Sequence, residues 1–298
     1  MMRFRLLFIF SFYLIVLTAI KPLSIRRNEA FCVNQKFGNL LYLGPAKTMT
    51  TMMARIHCEI ETLKKRGHIG PSESNKLNQN NYCFGKQKNE MVMTAFTAPL
   101  NGWAGHKRFF IWRDPLDRFL SLYGHMCKRE HLCGVAGKNI HSFARGVYQM
   151  LKSNRGGPGS KDFLRFKHHV IPQSWYCEIS THRKSDRVVE YTNDKALMMK
   201  RLARVFQSST VPKWMWKKAL QRIVKTNINQ RSQISHHEQY ELWRRQILTS
   251  PETLAYFKAI YHSDYSLFHK SPPGPGSLRS QRRRNWRHIR VRDTSDVS

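Results

Sequence analysis

Short apolar runs along this chain predict buried strands separated by helices. Residues 39–43 and 109–112 are runs of this kind, residues 187–191 are strand-like, and residues 91–97 form a further strand candidate between the first two. The runs at 39–43 and 109–112 are each followed by a loop or cap and then by helical spacing of apolar residues. This alternation indicates an α/β protein with a mostly parallel sheet.

In the C-terminal third, apolar positions recur at helical rather than strand spacing. They predict helices over residues 195–206, 213–225 and 237–258, the last with a break near Pro251. We therefore expect a three-layer α/β sandwich with a mostly parallel central sheet and a helical C-terminal third.

A helix start follows the apolar run at 109–112. Arg113 ends the run, Asp114 is a suitable N-cap, and Pro115 suits the first helical turn. Apolar residues then recur at i, i+3, i+4 and i+7, namely Leu116, Phe119, Leu120 and Tyr123. Ser121 lies on the flank of this helix. Arg113 and Ser121 thus offer a charged fork and a hydroxyl that together suit one phosphate group.

The loop after residues 39–43 carries a second candidate anion site. It spans residues 44–51, and Lys47 is followed there by Thr48, Thr50 and Thr51. Backbone N–H groups at a helix start, together with hydroxyls and an ammonium group, form a P-loop-like cradle for an anion. The full signature of a nucleoside triphosphatase is absent, which disfavours a site for a triphosphate and magnesium. An ordinary surface loop before an amphipathic helix is the alternative for this segment alone.

Together these segments resemble the sulfotransferases that use 3′-phosphoadenosine 5′-phosphosulfate (PAPS). The run Arg-Asp-Pro-x-x-Arg-Phe-Leu-Ser at 113–121 is similar to their 3′-phosphate motif in its membrane-bound carbohydrate branch, of chondroitin type and with nematode-like members. The Lys47 loop lies where that family holds the 5′-phosphosulfate, although Ala46 stands where the family usually has Pro. Residues 169–177 and 261–268 also resemble segments of these carbohydrate sulfotransferases.

The resemblance implies a PAPS-dependent enzyme that sulfates a glycan such as chondroitin and requires no metal. The implied PAPS-binding residues are Lys47, Thr48, Thr50, Thr51, Arg113 and Ser121. Lys47 would also stabilise the leaving phosphate. His169 is the first candidate for the base that accepts the hydroxyl proton. His106 is the second, because it lies just before the Arg113 strand, where some related uronyl-type sulfotransferases carry a catalytic His.

The N-terminal residues predict a membrane or secretory segment. Residues 6–20 are almost entirely apolar and follow two arginines, and we favour an uncleaved signal anchor over 1–21 above cleavage after Ala19. A stem over 22–37, a luminal catalytic domain over 38–270 and a basic tail over 271–298 would follow. The family resemblance implies a single-pass protein of the Golgi membrane with a luminal catalytic domain.

Six cysteines are consistent with an oxidising lumen. Six cysteines allow fifteen pairings, which the sequence leaves open. Cys127 with Cys133 is one candidate bridge, and Cys58 with Cys83 is another.

The charge of the chain points to a polyanionic partner. Lys and Arg total 51 against 19 Asp and Glu, a net charge of +32. Such a field attracts polyanions, and an anionic glycan fits the resemblance. No DNA-binding or RNA-binding module is recognisable, so nucleic acid is not the expected partner. The alternative function is a catalytically inactive luminal relative that binds heparin-like chains by charge.

Overall fold

The computed structural model describes residues 20–25, 33–65, 105–153, 161–182, 184, 186–225 and 233–274. Its strands form one four-stranded sheet in the order β1-β2-β3-β4, with bounds β1 (Val33–Phe37), β2 (Leu40–Gly44), β3 (Lys107–Trp112) and β4 (Arg187–Glu190). β1 pairs with β2 in antiparallel fashion, whereas the β2–β3 and β3–β4 pairings are parallel. The mixed α/β class is therefore confirmed, and the three-layer arrangement stays a prediction.

Helices make up most of the described chain. Their bounds are α1 (Thr50–Lys65), α2 (Pro115–Leu122), α3 (Ile140–Ser153), α4 (Lys161–Val170), α5 (Ile179–His182), α6 (Lys195–Phe206), α7 (Lys213–Lys225), α8 (Gln233–Thr249) and α9 (Pro251–Leu267). A π-helical stretch, Tyr123–Arg129, follows α2 directly, and short 3-10 turns lie at Gly134–Gly137 and Gln173–Trp175.

The predicted C-terminal helices are confirmed, but the third begins earlier and ends later than the predicted 237–258. α6 and α7 have the predicted bounds, and the predicted break separates α8 from α9 at Ser250. The Ser250 side chain accepts a hydrogen bond from the Thr253 N–H and so caps α9, with Pro251 in the first turn. The candidate strand at 91–97 lies outside the described residues.

The chain divides into two compact units, and the sheet belongs to the unit that comprises residues 25–118 and 164–233. Alternate strand residues share one face of the sheet, and α1, α6 and α7 pack against it. The apolar contacts include Met53, Ile56 and Ile60 from α1, all fully buried. Leu41 and Leu43, which alternate along β2 with Leu40 and Tyr42, are buried as well. The sheet is thus a buried platform, as parallel strands require.

The other unit comprises residues 1–24, 119–163 and 234–298. Phe119 packs edge-on against Phe257 and lies 4.9 Å, centroid to centroid, from Phe143. A disulfide joins Cys127 to Cys133 just after α2, as predicted. Aromatic packing and a short covalent loop therefore hold this unit together.

The remaining sequence predictions fall largely outside the described residues. Cys58 and Cys177 are also disulfide-bonded, but Cys83 lies outside the described residues. Most of the predicted anchor, 1–21, and of the predicted tail, 271–298, is outside them too. No helix in the described ranges is long and apolar enough to cross a membrane. Residues 33–37 of the predicted stem form β1, the antiparallel edge strand.

Candidate functional site

The candidate site lies where β2 and β3 end. Because these strands are parallel, the loop after β2 and Arg113 after β3 emerge at the same edge of the sheet. Binding sites of open α/β sheets lie at this carboxyl edge. The Arg113 Nη1 atom donates a hydrogen bond of 3.2 Å to the Lys47 carbonyl. The structure therefore brings together two residues that are 66 positions apart.

Side-chain donors hold successive carbonyl groups of the 44–51 loop. The Tyr42 hydroxyl donates to the Thr48 carbonyl at 2.9 Å, and Arg118 Nε donates to the Ala46 carbonyl at 2.8 Å. Thr48 is fully buried, and its hydroxyl and N–H both donate to the Pro45 carbonyl, at 2.6 and 3.3 Å. Burial raises the pKa of Tyr42, so its hydroxyl stays a donor. Thr48 therefore shapes the loop with the side chain that was expected to bind PAPS.

The backbone of this loop is left-handed at two positions. Lys47 and Met49 adopt positive φ angles of 66° and 67° on either side of Thr48. Alternation of this kind makes the concave backbone nests that bind anions. Thr50, half-buried, and Thr51, exposed, open the 16-residue helix α1, whose N-terminus also favours negative charge.

Arg113 is fixed at both its backbone and its guanidinium group. The Gln173 side chain accepts from the Arg113 N–H at 3.0 Å and donates to its carbonyl at 2.7 Å. The guanidinium carbon lies 4.8 Å from the centre of the Tyr191 ring, a cation–π contact. Arg113 Nε is buried and has no hydrogen-bond partner among the described residues. A buried donor without a partner calls for an explanation, and an acceptor such as a phosphate oxygen would supply one.

The helix after Arg113 begins as the sequence predicts. Asp114 accepts from the N–H groups of Leu116 and Asp117 at 2.9 and 3.1 Å, which caps α2. Ser121 is half-buried in the second turn of this helix. The two compact units divide within α2, so Arg113 and Ser121 belong to different units. A joint contact of Arg113 and Ser121 with one phosphate stays a prediction.

His169 lies at the end of α4 as a neutral imidazole. Its Nδ1 atom is 2.6 Å from the Arg165 carbonyl. A carbonyl only accepts, so Nδ1 carries the hydrogen and Nε2 keeps the lone pair. Burial lowers the pKa of His169 to about 4, and the positive charges of Lys47 and Arg118 act in the same direction. Lys47 is thus close enough to influence His169.

His106, the second candidate base, lies at the amino-terminal ends of the parallel strands, opposite the carboxyl edge that carries Lys47 and Arg113. It precedes β3, and the adjacent Lys107 N–H donates to the Asn39 carbonyl at the start of β2. Arg113 follows the far end of β3, roughly 20 Å along the strand at the usual rise per residue. This placement favours His169 over His106.

Two buried polar residues of the site were assigned no role from the sequence. Gln173 and Arg118 are both fully buried. Their positions could have indicated burial. Gln173 lies among the apolar residues around Ile171 and Trp175, and Arg118 immediately precedes Phe119 on α2. Among the described residues, no group of three or more His, Cys, Asp or Glu is arranged to hold a metal ion.

Comparison with known proteins gives one family and several distant relatives. The model of the sulfotransferase family matches residues 29–271. An uncharacterised protein of Caenorhabditis elegans is 25% identical over 183 residues, 58% of this chain and 49% of that protein. The C. elegans protein vep-2, provisionally named as a sulfotransferase, is 24% identical over 64% of this chain and 65% of its own length. The C. elegans carbohydrate sulfotransferase chst-1 is 22% identical over 83% of this chain and 77% of its own length.

The chain spans about half the length of the first of these relatives. No solved structure matches it significantly.

Proposed function

Because the chain belongs to the sulfotransferase family, we propose that it is an enzyme that transfers a sulfuryl group from PAPS to a hydroxyl of a glycan. The observation that carries the proposal is the meeting of the Lys47 loop with Arg113 at one edge of the sheet. The relative named as a carbohydrate sulfotransferase supports a sugar acceptor.

The residues of this edge fit the two anionic ends of PAPS. The Lys47 loop, with Thr50 and Thr51 at the start of α1, would hold the 5′-phosphosulfate. Arg113, whose buried Nε has no partner among the described residues, would hold the 3′-phosphate, with Ser121 as the second contact. When bound, PAPS supplies the activated sulfuryl group.

Two side chains have the chemistry for the transfer. The Lys47 ammonium stabilises negative charge on the departing phosphate, and Nε2 of His169 accepts the proton of the attacking hydroxyl. A pKa of about 4 keeps His169 ready to accept a proton at neutral pH but makes it a weak base. An anion bound against Lys47 offsets one of the charges that lower this pKa, so donor binding strengthens the base.

The charge of the sheet-bearing unit supports an anionic acceptor. Residues 195–225, which contain α6 and α7, hold nine Lys and Arg and no Asp or Glu. A surface of this charge attracts carboxylated or sulfated chains. We propose a glycosaminoglycan of the chondroitin class as the acceptor, and the Golgi lumen, with membrane attachment through residues 1–21, as the location.

The test is sulfuryl transfer from labelled PAPS to a panel of desulfated chondroitin, dermatan and heparan by the purified protein. We expect transfer to one of these glycans. Lys47→Ala should lower turnover by roughly a hundredfold or more, the scale for loss of one preorganised stabilising group. Lys64→Ala is the matched control, because Lys64 is exposed on α1 and paired with Glu61 at 2.6 Å.

Two results would contradict the proposal. If the protein binds the nucleotide and heparin but transfers nothing, it is the catalytically inactive relative. If Lys47→Ala turns over normally at saturating PAPS, Lys47 does not act on the leaving group.

A further inference from the structure

Arg118 is fully buried and contacts no carboxylate among the described residues. Its Nε donates to the Ala46 carbonyl at 2.8 Å, Nη1 to the Ile171 carbonyl at 2.9 Å, and Nη2 to the His169 carbonyl at 2.9 Å. Nη2 also lies 3.3 Å from the Tyr176 hydroxyl. A buried charge is costly unless it is compensated, and here all the acceptors are neutral. An apolar side chain at position 118 would avoid this cost of burying a charge.

The contacts of Arg118 join the two halves of the proposed catalytic pair. Ala46 directly precedes Lys47 in the loop, and the His169 carbonyl belongs to the candidate base itself. These acceptors are 72 and 51 residues from Arg118 in sequence. The planar guanidinium presents its donors in a rigid fork, so the three carbonyls cannot shift independently of one another. A lysine ammonium has no such fixed geometry.

The charge of Arg118 also acts on the histidines beside it. Burial is the main reason that the pKa of His169 falls to about 4, and Arg118 is among the charges that lower it further. The same holds for His168, whose pKa burial lowers to about 3, with contributions from His169 and Arg118. The Tyr176 hydroxyl donates to the His168 carbonyl, which leaves its lone pair available to Arg118. Arg118 therefore acts on His168 and His169 both through hydrogen bonds and through its charge.

We propose that Arg118 is the positioning residue of the site: it sets the spacing between the Lys47 loop and His169, and its charge adds to the burial that favours the neutral imidazole. It touches neither donor nor acceptor and acts through these two residues. The proposal rests on the proposed sulfuryl transfer for its kinetic consequences but not for its effect on His169.

Two variants separate the roles of charge and shape. Arg118→Gln removes the charge and keeps a polar side chain, whereas Arg118→Lys keeps the charge and loses the fork. Arg108→Gln is the matched control, because Arg108 also donates to a backbone carbonyl, that of Cys177, and pairs with the buried Asp186. That contact lies in the same unit but involves neither Lys47 nor His169. The control should destabilise the protein without changing the site.

The measurements are steady-state kinetics over pH and histidine titration by NMR in the full-length protein. Both Arg118 variants should lose about tenfold to a hundredfold in kcat with a much smaller change in KM for PAPS, as expected for a displacement of about 1 Å. In Arg118→Gln the pKa of His169 should rise, and the acidic limb of the kcat profile should move to higher pH with it. In Arg118→Lys the limb should stay in place. Arg108→Gln should show neither effect.

The proposal is overturned if Arg118→Gln folds and the pKa of His169 is unchanged, or if the kcat losses of the Arg118 and Arg108 variants simply follow their losses of thermal stability. Should Arg118→Gln fail to fold, Arg118→Lys decides alone, and a wild-type kcat in that variant overturns the proposal. The NMR titration needs no turnover. Suppose that the protein has no sulfotransferase activity but that the pKa of His169 rises in Arg118→Gln. The proposed function would then be refuted, and the effect of Arg118 on His169 would still be supported.

Discussion

At the scale of single residues, the site is built from side chains that are held at several points. Arg113 is the clearest case, because Gln173 holds its backbone and Tyr191 and the Lys47 carbonyl hold its guanidinium. This preorganisation leaves Nε as the buried donor without a partner among the described residues. An oriented guanidinium that still has N–H donors to offer discriminates strongly for an anion.

Arg113→Ala should therefore weaken binding of 3′-phosphoadenosine 5′-phosphate by about tenfold or more, because charge-assisted hydrogen bonds contribute roughly 1.5–3 kcal/mol. Binding of the analogue without the 3′-phosphate should change much less. Isothermal titration calorimetry with both nucleotides measures the difference. Arg187→Ala is a suitable control, since Arg187 is exposed at the opposite end of β4 and bonds to Ser208. Equal losses for both nucleotides would refute the assignment of Arg113 to the 3′-phosphate.

At the scale of elements, the segment that forms the candidate site is β2, the 44–51 loop and α1. The strand is buried along its whole length, and the helix packs Met53, Ile56 and Ile60 on the sheet. The connection between them is therefore confined at both ends. Gly44 stands at the first of these ends, and a Cβ there would lie 2.7 Å from Tyr42 Cε1 and 2.9 Å from Thr50 Cγ2.

Gly44→Ala should displace the loop rather than Tyr42, because the Tyr42 ring is buried and its hydroxyl is bonded to the Thr48 carbonyl. We expect a stability loss of about 1–3 kcal/mol, typical of overpacking, and weaker nucleotide binding. Urea unfolding and calorimetry measure the two effects. Gly274→Ala is the control, since no atom of the described residues lies within 4 Å of a Cβ there. A Gly44→Ala protein with unchanged nucleotide affinity would show that the loop does not bind the nucleotide.

The sequence predicted the elements better than it predicted their contacts. α6 and α7 were predicted with correct bounds because their apolar periodicity is local. β1 was assigned to a stem, since a five-residue edge strand carries little periodic signal. The Gln173–Arg113 and Arg118–Ala46 bonds connect residues 60 and 72 positions apart, and no local pattern encodes which carbonyl a buried guanidinium will find. The sequence already ranked His169 above His106, and the strand direction adds a geometric reason for that ranking.

At the scale of the whole molecule, pH should control stability through half-buried histidines. Burial lowers the pKa of His169 to about 4 and that of His168 to about 3, and it lowers the pKa of His57 as well. In the unfolded chain these groups take up protons near pH 6.5. Below that pH the unfolded chain therefore binds more protons than the folded one, and the stability falls.

The free energy of unfolding should decrease from pH 7 to pH 4, by up to about 1.4 kcal/mol per pH unit for each additional proton bound by the unfolded chain. Urea midpoints at intervals across this range test the slope. His168→Gln should flatten it, whereas His262→Gln should not, because His262 is exposed on α9. Identical slopes for the wild type and His168→Gln would exclude His168 as a source of acid sensitivity.

The left-handed backbone of Lys47 and Met49 sets a limit on how this protein can be improved in the laboratory. Each non-glycine residue in that region costs on the order of 1–3 kcal/mol, which glycine would not pay. A directed-evolution campaign that screens only for thermal tolerance would accumulate glycine at position 49, and with it a looser cradle. A campaign that screens for turnover would keep methionine and accept a lower melting temperature. The two screens would thus select different residues at position 49.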